Sequence, residues 1–318
     1  MNDRAARYVS VILCAYNSRT DYLAATLDSL RRQDLPSAAW ELIVVDNNST
    51  PPLQGHCDIG WHPAARIVIE TNQGLAHARR RGYLEAKGEL IVHSDDDNVL
   101  APDYLSVACR IYREHPHIGT FGGQLIPRYE RPPQNELERS FGEERRLDAD
   151  RWSNLIDDAR TMPWGAGMCL RRAVVEAYLA QVERDSRRLL LGRTGTRLLT
   201  GEDLDMNYVA VETGHGTGLF KDLSLEHFIP ARHMTEEHQI RYKGEANGYS
   251  VTVLKFLHFG QAEAPRVSVS SRLLHLLRRR FRMSSYQRRR EEAWDRGVRQ
   301  ALADMTKWEW INFVRSAE

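Results

Sequence analysis

The stretch ELIVHSDDDN, residues 89–98, sets three consecutive carboxylates, Asp95, Asp96 and Asp97, directly after a short apolar run. Adjacent carboxylates repel one another, so a fold that gathers them beside a hydrophobic strand offsets the repulsion with a cation or with hydrogen-bond donors. A hard divalent ion is the simplest such partner. Turn chemistry is the plainer alternative: Asn98 or an Asp before it could lead into a helix beginning near Pro102, which explains one or two of the acids and not three. A second acidic group lies in GEDLDM, where Glu202, Asp203 and Asp205 open a helix after Gly201. Acids in a first helical turn are also favoured by the helix macrodipole, so charge there is not diagnostic alone. His227, with Arg232 and His233 near it, is a candidate metal ligand or a structural histidine. The run Arg79–Arg81 reads as a solvated helix face, or, at Arg79, as a phosphate or base contact, because guanidinium forks suit phosphoryl oxygens. Trp164, inside the Gly-interrupted segment PWGAGMCLRR, is a stacking platform or ordinary core.

Those side chains need elements to position them. YVSVILC (Tyr8 to Cys14) is β-branched and apolar, a buried strand of the parallel-sheet kind. Helical spacing runs from Asp21 to Gln33, and a second strand, Glu41 to Val45, ends in Asp46, Asn47, Asn48 and Ser49. Residues 50–64 read as loop, Ile67 to Glu70 as a third strand, and the segment from Leu75 to Leu84 as a helix stopped at Gly88. A fourth strand, Glu89 to His93, then delivers the acid triplet at its carboxyl end, the edge where open α/β sheets bind ligands. Three β-α alternations predict a parallel sheet with right-handed crossovers. Beyond lie a helix from Pro102 to Glu114, a strand from Thr120 to Ile126, a polar insertion or flexible cover over 127–160, and a strand-like segment from Leu219 to Leu225. From residue 236 the chain turns helical, and Ser270 to Arg290 mixes Arg with Leu and Phe. That pattern fits docking on an anionic membrane face, or a solvated helical appendage. The stretch near the end, with Trp308, Trp310 and Phe313, reads as a closing helix.

Composition narrows the partners. Lys and Arg number 44 against 43 Asp and Glu in 318 residues, a net charge of +1, which argues against nucleic acid as a bulk polyanionic partner. A mean hydropathy of −0.52 and the lack of any run near the roughly 20 apolar residues needed to span a bilayer predict a globular chain. MNDRAARYVS has no apolar h-region, so no secretory signal is expected. Cys14, Cys57, Cys109 and Cys169 form no CxxC pair, which fits a reduced, cytoplasmic setting, with peripheral contact on the inner membrane face an option through 270–290.

In their order these motifs resemble the family 2 glycosyltransferases of GT-A fold, over about residues 8–230. VSVILCAYN looks like the opening strand and base-binding loop, ELIVVDNNST like the second strand with its uridine-contacting acid, and GLAHARRRG like the Gly-Leu-Ala-x-Ala-Arg helix. SDDDNVLAPDYL is similar to the family's acidic metal motif, and GEDLDM to the Glu-Asp motif of the catalytic base. The resemblance implies an α/β fold: a GT-A, Rossmann-like, mostly parallel sheet flanked by helices, with a C-terminal helical extension. It implies a catalytic domain over 1–235, its nucleotide-sugar half about 1–100 and its acceptor half about 101–235, followed by the extension 236–318. Tyr16 and Asn47 would line the nucleobase with Asp46 beside them, and Arg79 would help hold the nucleotide. Asp95 or Asp96 would face the ribose, and Asp97, with Asp95, the metal, Mn²⁺ or Mg²⁺. Asp203 would deprotonate the acceptor hydroxyl, with Glu202 supporting it or contacting the acceptor.

The chemistry expected is inverting transfer from a nucleoside-diphosphate sugar, UDP-type favoured, to a saccharide or lipid-linked saccharide, as in cell-surface polysaccharide or glycolipid assembly. A general base adds roughly 10² to 10⁴ in rate to such a step. The second acid that usually follows strand two is Asn47 here, and the Gln-x-x-Arg-Trp motif of processive enzymes finds only Gln239, Arg241 and Tyr242. The competing readings are a sugar-phosphate nucleotidyltransferase, whose Gly-rich, Arg-containing loop CAYNSRTDYL lacks, and a non-catalytic nucleotide-sugar-binding protein.

Overall fold

The computed structural model describes residues 9–142, 144–195, 198–260 and 283–315, the last with side chains to residue 307. The basic segment expected to dock on membrane falls mostly within 261–282, outside the described residues, as do the side chains of Trp308, Trp310 and Phe313. The chain forms two compact units, Met1–Gly195 with Glu202–Pro230, and Thr196–Gly201 with Ala231–Glu318.

The first unit is built on one mixed sheet. In chain order its described strands are β1 (Val9–Ala15), β2 (Trp40–Asp46), β3 (Ala65–Ile69), β4 (Leu90–Asp95), β5 (Asn98–Leu100), β6 (Ile118–Tyr129), β7 (Arg151–Ser153), β8 (Cys169–Arg171) and β9 (Gly216–Ile229). Its helices are α1 (Thr20–Arg31), α2 (Leu75–Glu85), α3 (Tyr104–Glu114), α4 (Glu136–Arg139), α5 (Arg172–Arg184) and α6 (Glu202–Glu212). The strand order is β3-β2-β1-β4-β8-β6-β9-β5, with β7 also on β9. The first four strands are parallel, as the β-α alternation predicts; β8 is then antiparallel to both β4 and β6, while β6 and β9 are parallel.

Period-two alternation divides β1 between the two faces of the sheet. Val9, Val11 and Leu13 join the core beneath α1 and α3, with Leu27, Leu30, Tyr104 and Leu105. Ile12 and Cys14 join the opposite core beneath α2, α5 and α6, with Ala78, Tyr178 and Val209. Burying each large apolar side chain contributes about 1.5–3 kcal/mol, and with both faces covered every residue of β1 and β2 is buried. Gly82 lets α2 lie close on β1, since a Cβ there would sit 2.4 Å from Ile12 Cγ2.

Three boundaries differ from the sequence reading, and each bears on the site. The fourth strand runs on to Asp95, and the acids turn at once into β5, so Asn98 starts a strand and does not cap a helix. The strand ending the sequence reading at Leu225 continues to Ile229 because it pairs along β6, which itself extends to Tyr129, and His227 lies within it. The stretch 127–160 is not only an insertion: it begins as β6 and contains α4 and β7.

In the second unit a helical run from Glu236 to Phe259, interrupted by a π segment at Ile240–Ala246, ends on Gly260 at φ 64°, a left-handed helix stop. The helix Ser285–Arg315 packs on it at short range: a Cβ on Gly248 would meet the Trp294 carbonyl oxygen at 2.5 Å. No helix among the described residues is long and apolar enough to cross a membrane.

Candidate active site

The polar residues collect at the carboxyl edge of the parallel strands, each fixed by the loop it belongs to. After β1 and β2 the chain turns through Asn17 (φ 47°) and Asn48 (φ 63°), left-handed positions that Asn tolerates better than most residues. The two loops are tied together: Ser49 Oγ accepts from the Asn17 amide at 3.0 Å, and Asn17 Oδ1 accepts from the Thr50 amide at 2.8 Å. Asp46 is buried, its two oxygens accepting the amides of Ser49 and Leu53, each at 2.9 Å. Asn47 is buried as well. Its Nδ2 donates to the carbonyls of Glu70 (3.1 Å) and Asn72 (2.7 Å), and its Oδ1 accepts from the Gly74 amide (2.7 Å) at the start of α2. Both side chains therefore shape the loop, whereas Tyr16 stands 44% exposed with its hydroxyl accepting from Gln73 Nε2 at 3.0 Å.

Each acid of the triplet has its own partner. Asp95 accepts from Arg79 Nη2 at 3.1 Å. Asp96 accepts a hydrogen bond from the Ser18 hydroxyl. Burial first, and then the charge of Asp97 beside it, push the Asp96 carboxyl up to about 7, against that hydrogen bond. Asp97 Oδ2 lies 3.4 Å from His227 Nε2, because β5 and β9 pair antiparallel with Asn98 opposite His227. The turn is pinned by Asn98, whose Oδ1 accepts from the Asp95 amide at 3.1 Å and whose Nδ2 donates to Asp97 Oδ1 at 3.0 Å. No group of three or more His, Cys, Asp or Glu side chains in a metal-binding arrangement occurs among the described residues.

The acids that open α6 divide in the same way. Glu202 accepts from Arg79 Nη1 at 3.0 Å, so the buried guanidinium joins the fourth strand's end to the α6 N-terminus. Burial works against that charge, but Asp95 and Glu202 outweigh it and raise the Arg79 pKa. Asp205, fully buried, pairs with Arg188 and fixes the inner side of the helix. Asp203 is half-exposed and accepts the Gly165 amide at 2.9 Å. One turn further on, Asn207 donates to the Pro163 carbonyl at 3.0 Å, so α6 holds the 163–168 loop at two points. Gly165 has to be small: a Cβ there would lie 2.7 Å from Arg79 Nη2.

The arrangement thus brings Arg79, Asp95, Glu202, Asp203 and the 163–168 loop together, with Asp96 and the Asp97–His227 pair on the same turn. Trp164 is 38% exposed and carries Arg145 on its ring, guanidinium to centroid 3.8 Å. Burial lowers the Arg145 pKa to about 10, offset in part by Asp203. Sequence reasoning missed Ser18, the Gly165 amide and Arg145. For the first two a signal existed, in the polar turn after β1 and in the Gly-interrupted segment; a lone arginine in a polar stretch gives none.

The sequence model described as Glycosyl transferase family 2 matches residues 10–179. EpsH of Bacillus subtilis (strain 168) is 33% identical over 101 residues, 30% of this chain and 28% of that one. The poly(ribitol-phosphate) beta-N-acetylglucosaminyltransferase TarS of Staphylococcus aureus (strain Mu50 / ATCC 700699) is 32% identical over 109 residues, 33% of this chain and 19% of its own. These matches span well under half of either relative. Among solved structures, S. aureus TarS 1-349 in complex with UDP-GlcNAc superposes with a TM-score of 0.52 at 18% identity, over 87% of this chain and 73% of that one, a likeness of fold. With the family model matched over more than half of its residues, the chain belongs to glycosyl transferase family 2.

Proposed function

We propose that this protein transfers a sugar from a nucleoside-diphosphate donor, UDP-type, to the hydroxyl of a saccharide or lipid-linked saccharide with inversion at the anomeric carbon. The observation that carries the reading is the Arg79 bridge, 3.1 Å to Asp95 and 3.0 Å to Glu202, which couples the acids of a donor site to the helix that presents a base. Tyr16 lines the base, on a loop shaped by Asp46 and Asn47, and Asp95 or Asp96 faces the ribose. Asp203 takes the proton of the acceptor hydroxyl as its oxygen attacks the anomeric carbon. The bond from that carbon to the diphosphate oxygen breaks on the opposite face, and the diphosphate leaves with the electron pair. Glu202, held by Arg79, keeps the turn that presents Asp203 in place.

The donor set fits a divalent cation in one respect: Asp97 and His227 offer a carboxylate and an imidazole 3.4 Å apart on neighbouring strands, with further positions left for phosphate oxygens. Asp97 and His227 would hold Mn²⁺ or Mg²⁺, which as a Lewis acid stabilises charge on a leaving diphosphate. Asp96, whose carboxyl is pushed up by burial first and then by Asp97 and Asp95, is the residue that such a positive charge would relieve. The reading is tested by assaying release and transfer from a panel of nucleotide sugars with Mn²⁺, with Mg²⁺ and in EDTA. Transfer that needs the cation is expected, and full activity in chelator would remove the metal from the proposal. The Arg-rich sequence of 270–290 further supports peripheral contact with an anionic membrane face.

A further inference from the structure

Arg145 lies between β6 and β7, and its main chain is bridged to Leu125 of β6 by two hydrogen bonds of 3.0 Å, one in each direction. The guanidinium rests on the Trp164 ring and gives Nη2 to the Met162 carbonyl at 3.3 Å. Its Nη1 is buried and meets no hydrogen-bond partner among the described residues. A buried, charged donor left without an acceptor is uncommon, and it points to a group that is completed by something bound.

The place of this donor narrows what it binds. Trp164 is followed directly by Gly165, whose amide Asp203 accepts, so the guanidinium, the indole and Asp203 are linked through one short loop. The acids of the proposed donor edge have other partners: Asp95 has Arg79, Asp96 has Ser18 and Asp97 has His227. Among the described residues Asp203 is the carboxylate whose charge acts on Arg145, and that charge is neutralised when Asp203 accepts a proton. An anion arriving with the acceptor keeps the desolvated guanidinium compensated throughout. A guanidinium carries its N–H donors in one plane, a geometry suited to a planar carboxylate or a phosphate.

We infer that Arg145 and Trp164 form an acceptor subsite for an anionic group, a phosphate or a carboxylate, carried near the hydroxyl that Asp203 deprotonates. The inference rests on the proposed glycosyl transfer and adds the acceptor's chemical class to it.

The test uses the full chain saturated with UDP and Mn²⁺, so that the diphosphate site is filled, titrated calorimetrically with glycerol 1-phosphate, glycerate and glycerol. One or both anions should bind at least about tenfold tighter than glycerol, the scale of a charge-assisted hydrogen bond, and which of them does so separates phosphate from carboxylate recognition. Arg145→Met should abolish the preference and Arg145→Lys restore part of it, with UDP titration confirming that each variant is folded. Trp164→Phe, which keeps an aromatic face, should retain most of it. Equal binding of all three probes to the wild-type protein, or a preference that survives Arg145→Met, would overturn the subsite and leave the donor reading intact. A wild-type protein that binds no UDP with either cation would overturn both.

Discussion

At the scale of single residues, the two acidic motifs are sorted by their partners. Asp95 and Glu202 share one buried guanidinium, Asp205 is taken by Arg188, and Asp203 is left half-exposed beside the 163–168 loop. Replacing Arg79 by Met leaves two acids facing one another without their cation, and should cost about 3–5 kcal/mol of stability in urea titration. A loss under about 1 kcal/mol, the range of an exposed ion pair, would mean that the bridge is not maintained in solution. For the Asp97–His227 pair, His227→Ala should weaken Mn²⁺-dependent UDP binding by about tenfold, measured by calorimetry, with cation-free UDP binding little changed. Equal Mn²⁺ dependence in the variant and the wild type would take His227 out of the proposed metal site.

At the scale of elements, the site depends on how strand ends and helix starts are stitched together. Beneath the sheet edge Glu41, fully buried, accepts from Ser10 at 2.7 Å, Arg66 at 2.8 Å and the Lys87 amide at 2.7 Å, which joins β1, β2, β3 and the end of α2. Burial pushes its carboxyl up, but Arg66, Ser10 and Lys87 together prevail and lower its pKa below the ordinary value of 4.5. The folded protein therefore binds this proton less readily than the unfolded chain, and the stabilisation is fully present above pH 4.5 and lost as pH falls through the folded pKa. Glu41→Gln should lower Tm at pH 7 and converge with the wild type in acid; a Tm gap independent of pH would contradict this. Much of this layer is legible in sequence. Buried β-branched runs mark β1 and β2, and the acid triplet marks the end of the fourth strand, because both follow from local period and turn chemistry. What is not legible depends on pairing at long range. His227 lies inside β9 because β6 and β5 flank it, and Asn98 starts a strand for the same reason. Arg79 reads as a nucleotide contact from its motif, yet its two carboxylate partners lie 16 and 123 residues away, a meeting that no sequence period encodes.

At the scale of the whole molecule, each unit carries a separate expectation. The sequence of 270–290 would supply membrane affinity of about 1 kcal/mol for each basic residue at an anionic surface. Joint replacement of Arg278, Arg279 and Arg280 by Gln should therefore reduce sedimentation with anionic vesicles, and unchanged partitioning would leave the segment as a solvated face. In the proposed reading the first unit carries the chemistry, with Asp203 acting on the acceptor while the triplet edge holds the donor. The most direct measurement pairs calorimetric UDP binding in Mn²⁺ with single-turnover sugar transfer in Asp203→Asn. The account predicts UDP affinity near that of the wild type and transfer reduced by about 10² or more. Transfer at close to the wild-type rate, or loss of UDP binding along with it, would contradict the assignment.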